Sequence, residues 1–303
     1  MAEVAYARGF AEAAHAPATR RAYAADWRVF AAWCAARGVL ACPATPEVLA
    51  TFLAAEATAG LGATTLGRRL AAIAYAHKAH GIEAPTRATV VQATLRGIRR
   101  TLGTAVRQKT PLTADRLLLV LAALPPTLQG CRDRALLLLG FAGALRRSEL
   151  AALCVEDLET VPEGLRVTIR RSKGDQEAAG QTIAVIRGAR ACPVAAVDAW
   201  LTAAAITEGP IFRRMAKGER VLPGALTPHS VGAIVKAAAA RAGLTAADFG
   251  GHSLRAGFAT SAAIAGRSLF RIMDVTRHKR TETLRGYVRR ADEFRDHAGA
   301  GLL

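Results

Sequence analysis

A chain of 303 residues that is 51% hydrophobic carries enough apolar material for two cored domains and too much to stay unfolded. Its formal net charge of +17 points to a polyanionic partner, either nucleic acid or an acidic membrane surface. No apolar run reaches membrane-spanning length and the start (MAEVAYARGF) lacks a signal-peptide core, so a nucleic acid in the cytoplasm is expected rather than an acidic membrane. Five cysteines, odd in number and without a CxxC pair, exclude a disulfide scaffold and read as reduced thiols.

In chain order, the first hundred residues predict a small helical bundle. Thr19 is placed to cap a helix whose apolar positions include Tyr23, Trp27, Phe30 and Trp33, with Gly38 as its stop. Pro46 opens a second helix running toward Ala59. Thr64 or Thr65 caps a third, through Leu70, Ile73 and Tyr75. A fourth covers about Thr89 to Leu102. His77 and His80 form the closest histidine pair, but no third ligand lies nearby, so no metal site is expected there.

Charge is uneven along the chain. Residues 1–65 balance five arginines against five acids, whereas residues 66–109 carry nine basic residues and the single acid Glu83. Arginines 96, 99 and 100, spaced by three and four on the fourth helix without balancing acids, predict a phosphate-facing surface. The residues expected to meet DNA are Arg20, Arg21, Arg68, Arg69, Lys78, Arg99, Arg100, Arg107 and Lys109.

The segment 103–111 (GTAVRQKTP) is short, polar, basic and ends in proline, which predicts a linker. It sets domains at 1–104 and 113–303, joined by 105–112. After Thr113, a leucine-rich helix runs to Pro125–Pro126, a buried helix covers 132–142, and a turn at Gly143 leads into helix at 146–153. Leu165, Val167 and Ile169 alternate with polar residues and, with 181–186 after a polar turn, predict a β-hairpin. Helices follow at 193–205, 228–242 (Thr227 as cap, Pro228 at its first position), 253–265, 268–275 and about 281–290. The fold class is mainly α, with a small β-hairpin in the C-terminal domain.

Four segments carry reactive side chains: GALRRSEL with Arg146 and Glu149, RRSKGD with Lys173 at the hairpin tip, GHSLRAGFAT with His252 and Arg255, and TRHKRTETLRGYVRRA with His278 nine residues before Tyr287. Each alone has an ordinary explanation, such as a helix-surface pair, a soluble turn lysine or a packed tyrosine. Together and in this order they resemble the tyrosine recombinase (phage integrase) family, Cre/Xer-like. Its pattern is an Arg in G-x-R-x-S-E-L, a hairpin Lys, H-x-x-R, a second His or Trp, and a Tyr nine residues on. Residues 18–34 (ATRRAYAADWRVFAAWC) likewise resemble the family's N-terminal core-binding domain. Two positions depart from the common pattern: Ala256, where many members have His after the second Arg, and Arg277, where many have Gly before the second His.

The resemblance implies a site-specific recombinase or integrase that cleaves and rejoins double-stranded DNA at recombination sites through a 3′-phosphotyrosyl intermediate. It implies no metal, no nucleotide, no other cofactor and no membrane, and a homo-tetramer on paired sites at the nucleoid. The chemistry fits the residue types. Arg146 and Arg255 offer permanently charged planar forks to the non-bridging oxygens. On this resemblance Tyr287 would be the nucleophile, His252 its candidate base, Lys173 the proton donor to the departing 5′-oxygen and His278 a hydrogen-bonding partner of the phosphate, with Glu149 expected to orient Arg146. Two alternatives share these features: a type IB topoisomerase-like enzyme, and a non-catalytic DNA-binding protein of the same fold. The tail ADEFRDHAGAGLL, with Phe294, Leu302 and Leu303 as its apolar groups, suits a recombinase that docks it on a neighbouring subunit.

Overall fold

A computed structural model describes residue 6 and residues 14–104, 108–170, 180–278, 280–282, 284 and 286–287. The chain divides into two compact units, 1–107 and 108–303.

The first unit is all helical. Helices α1 (Pro17–Ala35), α2 (Pro46–Thr58), α3 (Ala63–Ala79) and α4 (Thr89–Leu102) enclose a core that includes Phe30, Phe52, Leu53, Leu66, Ile73, Val91 and Leu95. Two start signals differ from expectation. Helix α1 begins two residues before Thr19: Ala16 occupies the cap and Pro17 the first turn, where a missing N–H costs no helical bond. Helix α3 starts after Gly62, ahead of Thr64. Pro46 does open α2, and the Thr45 hydroxyl accepts from the Val48 N–H. His77 is fully buried; its Nε2 accepts from the Ala44 N–H at 3.0 Å and its Nδ1 faces the Ile73 carbonyl at 2.9 Å. Both ring nitrogens therefore serve the bundle.

In the second unit, α5 (Ala114–Ala122), α6 (Leu128–Ala142), α7 (Arg147–Ala152), α8 (Pro193–Ala203) and α9 (Pro228–Arg241) pack around leucine-rich α6. The Thr127 hydroxyl caps α6 four residues earlier than the apolar pattern suggests, and the Thr227 hydroxyl caps α9 as expected. Strands β2 (Gly164–Ile169) and β3 (Gln181–Ile186) form the predicted hairpin, with Ile169 opposite Gln181. A further strand, β1 (Leu158–Val161), extends this antiparallel sheet, and β4 (Arg213–Met215) pairs with β5 (Val221–Ala225). Helices α10 (Ser253–Ile264) and α11 (Leu269–Thr276) follow, and residues 281, 282, 284, 286 and 287 are helical.

Part of the expected linker belongs to this second unit. The Thr110 N–H donates to the Asp248 carbonyl at 2.7 Å, the Leu112 N–H to the Ser253 carbonyl at 2.9 Å, and the Ala114 N–H to the Ser261 hydroxyl at 2.8 Å. Residues 110–114 thus lie along α10. Gly257 permits the approach: a Cβ there would sit 1.9 Å from the Leu112 carbonyl oxygen.

Candidate active site

The turn between α6 and α7 sets the first half of the site. Arg146 is the cap residue of α7, and Glu149, three residues on, reaches back to accept from its backbone N–H at 2.9 Å and from its Nη1 at 2.5 Å. Glu149 is buried, which pushes its carboxyl up. The Arg146 N–H, the Arg277 charge and the Arg146 guanidinium outweigh that and hold it below the usual carboxylate range. Just upstream, Ala144 sits fully buried at φ 44, a left-handed backbone that costs a residue with a Cβ on the order of 1–2 kcal/mol.

The second half comes from α10, α11 and the residues that follow. His252 is the cap residue of α10, so Arg255, three residues later, projects from the same first turn. Arg255 is 1% exposed; its Nη1 donates to the Ala144 carbonyl at 2.9 Å, while its buried Nη2 has no partner among the described residues. Burial, then Arg146 and Arg277, press its pKa down to about 9, so it keeps its charge at neutral pH. His252 Nε2 and Tyr287 Oη are 2.9 Å apart. Tyr287 rests against a small apolar cluster of Ala259, Ala263, Ile272 and Leu284.

His278 closes the group. Its Nδ1 lies 2.8 Å from the Thr276 hydroxyl, which itself donates to the Ile272 carbonyl at 2.7 Å. The hydroxyl's proton is committed, so His278 must supply its Nδ1–H, which leaves Nε2 without a proton in the neutral ring. Burial, then Arg255, Arg146, His252 and Arg277, press His278 down to about 4. His252 is lowered by burial, Arg255 and Arg146. Both histidines are therefore neutral near pH 7 in the DNA-free protein.

The chain thus brings Arg146, Glu149, His252, Arg255, His278 and Tyr287 into one cluster. Lys173, Arg107 and the tail residues Phe294, Leu302 and Leu303 lie outside the described residues. In the first unit, Arg21, Lys78, Arg99 and Arg100 are exposed, and Arg20 is partly so. Helix α4 buries Val91 and Leu95 and turns Arg96, Arg99 and Arg100 to the surface.

Arg69 corrects the expected DNA-facing set. Its side chain is 13% exposed and pairs with Asp26 and Glu56. Arg68, half-exposed, bonds Asp26 through Nη2 at 3.1 Å. The reason is Asp26, a buried carboxylate on α1 that needs cationic partners. Lys109 is also engaged, its ammonium donating to the Ala247 carbonyl. Arg277, which departs from the common Gly, has its side chain enclosed by these groups. No local pattern marks it, because its partners are 128 and 133 residues away.

A tyrosine hydroxyl paired with an imidazole and near the buried Arg255 is what a protein needs to exchange one phosphodiester for another through its own side chain. Residues 111–293 match the Phage integrase family, and residues 6–79 match the phage integrase N-terminal SAM-like domain. The chain is 39% identical over 293 residues to the integrase/recombinase xerD homolog of Selenomonas ruminantium, covering 95% of this chain and 86% of that protein. It is 32% identical over 287 residues to tyrosine recombinase XerC of Mycobacterium sp. (strain KMS), covering 89% and 87%. Its fold is similar to that of lambda integrase residues 75–356, solved as a dimer bound to a COC′ core site, with a TM-score of 0.64 at 18% identity over 96% of this chain and 95% of that one. It is also similar to XerH recombinase in a post-cleavage complex with palindromic difH, with a TM-score of 0.58 at 20% identity over 82% and 70%. The chain belongs to the phage integrase family. It is a tyrosine-type site-specific recombinase, which cleaves and rejoins DNA strands.

Proposed function

We propose that Tyr287 is the nucleophile and that Arg146, Lys173, His252, Arg255 and His278 form its catalytic set. The observation that carries this is the 2.9 Å pair of His252 Nε2 and Tyr287 Oη beside Arg255, whose buried Nη2 awaits an acceptor. His252 takes the phenol proton, and the phenolate oxygen bonds to phosphorus. The bond from phosphorus to the 5′-oxygen breaks, and that oxygen receives a proton from Lys173. The products are a 3′-phosphotyrosyl link and a free 5′-hydroxyl. Arg146 and Arg255 neutralise the non-bridging oxygens as charge grows there, and His278, which takes up a proton at Nε2 as the phosphate anion approaches, donates a hydrogen bond to it. The link conserves the phosphodiester, so a 5′-hydroxyl from a partner duplex reverses the steps and completes the exchange.

Strand exchange requires two duplexes held together, which supports a homo-tetramer on paired double-stranded sites, acting at the nucleoid in the cytoplasm. The basic face of α4 supports a first unit, residues 1–104, that grips the duplex, with the catalytic set carried by residues 113–303. The experiment is a nicked half-site whose short 5′-hydroxyl fragment diffuses away after cleavage. Wild type accumulates an SDS-resistant adduct on Tyr287, whereas Tyr287→Phe binds the same DNA and forms none. An adduct in Tyr287→Phe refutes the assignment.

A further inference from the structure

The Arg277 side chain is 4% exposed, and its hydrogen bonds run to backbone carbonyls and to Glu149. Its Nη2 donates to Glu149 Oε2 at 2.8 Å and to the Ala144 carbonyl at 3.2 Å, and its Nη1 donates to the Gly143 carbonyl at 3.1 Å. The other Glu149 oxygen holds Arg146, and the same Ala144 carbonyl holds Arg255. One guanidinium therefore ties together the supports of both phosphate-facing arginines. It does so from a backbone at φ 55 and ψ 40, the left-handed region that glycine adopts freely and arginine does not. Its Nη1 also donates to the local Val275 carbonyl at 3.0 Å, but its Nη2 serves only the two catalytic supports, which indicates a role that outweighs the backbone cost.

Charge points the same way. Glu149 is a buried anion in contact with Arg146. If Arg146 alone compensated Glu149, little of its charge would remain for a phosphate. With Arg277 on Oε2, the carboxylate is balanced from behind and the Arg146 charge stays available in front.

Resting on the reading of the site given above, we propose that Arg277 is a positioning residue for strand cleavage, holding Arg146 through Glu149 and Arg255 through the Ala144 carbonyl. It contacts no DNA, and its effect falls on the chemical step rather than on binding.

The test compares Arg277→Gln, which keeps amide donors and loses the charge, with Arg277→Lys, which keeps the charge and loses the fork. At saturating half-site DNA, R277Q is expected to form the Tyr287 adduct about 10- to 100-fold more slowly, the loss of one or two charge-assisted hydrogen bonds. R277K is expected to recover at least half of that loss on a logarithmic scale. Half-site affinity stays within about threefold of wild type, because the side chain is buried. A second readout needs no turnover. The charges facing His278 are Arg255, Arg146 and Arg277, with His252 beside them. Removing one cation should raise the His278 titration in R277Q, seen by NMR of the imidazole, and leave it near wild type in R277K. An R277Q protein that cleaves within threefold of wild type, an unmoved His278, or R277K as defective as R277Q would overturn the proposal. If wild type itself made no adduct at Tyr287, the underlying reading of the site would fail instead.

Discussion

His252 and Tyr287, 35 residues apart in the chain, meet through a hydrogen bond of 2.9 Å between Nε2 and Oη. The base and its acid are held together by the fold itself.

That pairing sets a pH dependence. Burial, Arg255 and Arg146 lower His252, and cleavage uses its neutral form. The rate should therefore hold level from pH 8 down past the ordinary imidazole range and fall only as pH drops through the lowered value. Single-turnover cleavage between pH 5 and 8 measures this. His252→Gln should remove that acidic limb and slow cleavage by about 10²–10⁴-fold. A wild-type rate already halved at pH 6.5 contradicts the assignment of His252 as base.

His278 gives a stability counterpart. Its folded value of about 4 lies below an unfolded imidazole, so between those values the unfolded chain binds more protons. Its contribution is complete above about pH 6.5 and is lost as pH falls toward 4. In DNA-free protein, Tm should drop across that window less steeply for His278→Gln than for wild type. Parallel curves would mean that His278 does not titrate as its surroundings require.

The buried Nη2 of Arg255 predicts anion binding. Inorganic phosphate at fixed ionic strength should raise the Tm of DNA-free wild type and leave Arg255→Gln unmoved. Equal shifts in both proteins would place the anion elsewhere.

Two glycine-to-alanine changes should act with opposite signs. Gly97 lies within α4 with nothing near its missing Cβ, so Gly97→Ala should stabilise by about 0.5–1 kcal/mol. Gly257 lies within α10 with the Leu112 carbonyl 1.9 Å from that position, so Gly257→Ala should destabilise by about 1–3 kcal/mol or more. Denaturant midpoints of the two variants decide; a stabilised G257A would show that residues 110–114 do not pack as described.

The first unit separates surface from support. Arg99→Ala should lower the slope of log affinity against log salt by about one and spare Tm, as for a phosphate contact. Arg69→Ala should lower Tm through the exposed demand of Asp26 and Glu56 and leave the slope unchanged. Reversed outcomes would exchange the two roles.

The site was legible where chemistry and order along the chain coincide. Arg146 with Glu149 and His252 with Arg255 each span one helical turn, an ordinary spacing alone; the order of the four segments, and the resemblance it carries, singled them out. Helices with long apolar patterns, such as α2 and α4, were readable from those patterns. Strands β1, β4 and β5 were not, since three to five residues with irregular burial carry no alternation to detect. Arg69 and Arg277 were hidden because their meaning depends on carboxylates 43 and 128 residues distant. A basic residue looks the same in sequence whether it faces water or a buried acid.

The hydrogen bonds from residues 110–114 to Asp248, Ser253 and Ser261 have a mechanical consequence. The polypeptide leaving the first unit is fastened at both sides of His252 before it turns into α5. The segment at residues 110–114 acts as a stay for the catalytic turn within the second unit, so losing the Leu112 N–H, as in Leu112→Pro, should loosen the turn that carries His252 and Arg255 without altering one reactive side chain.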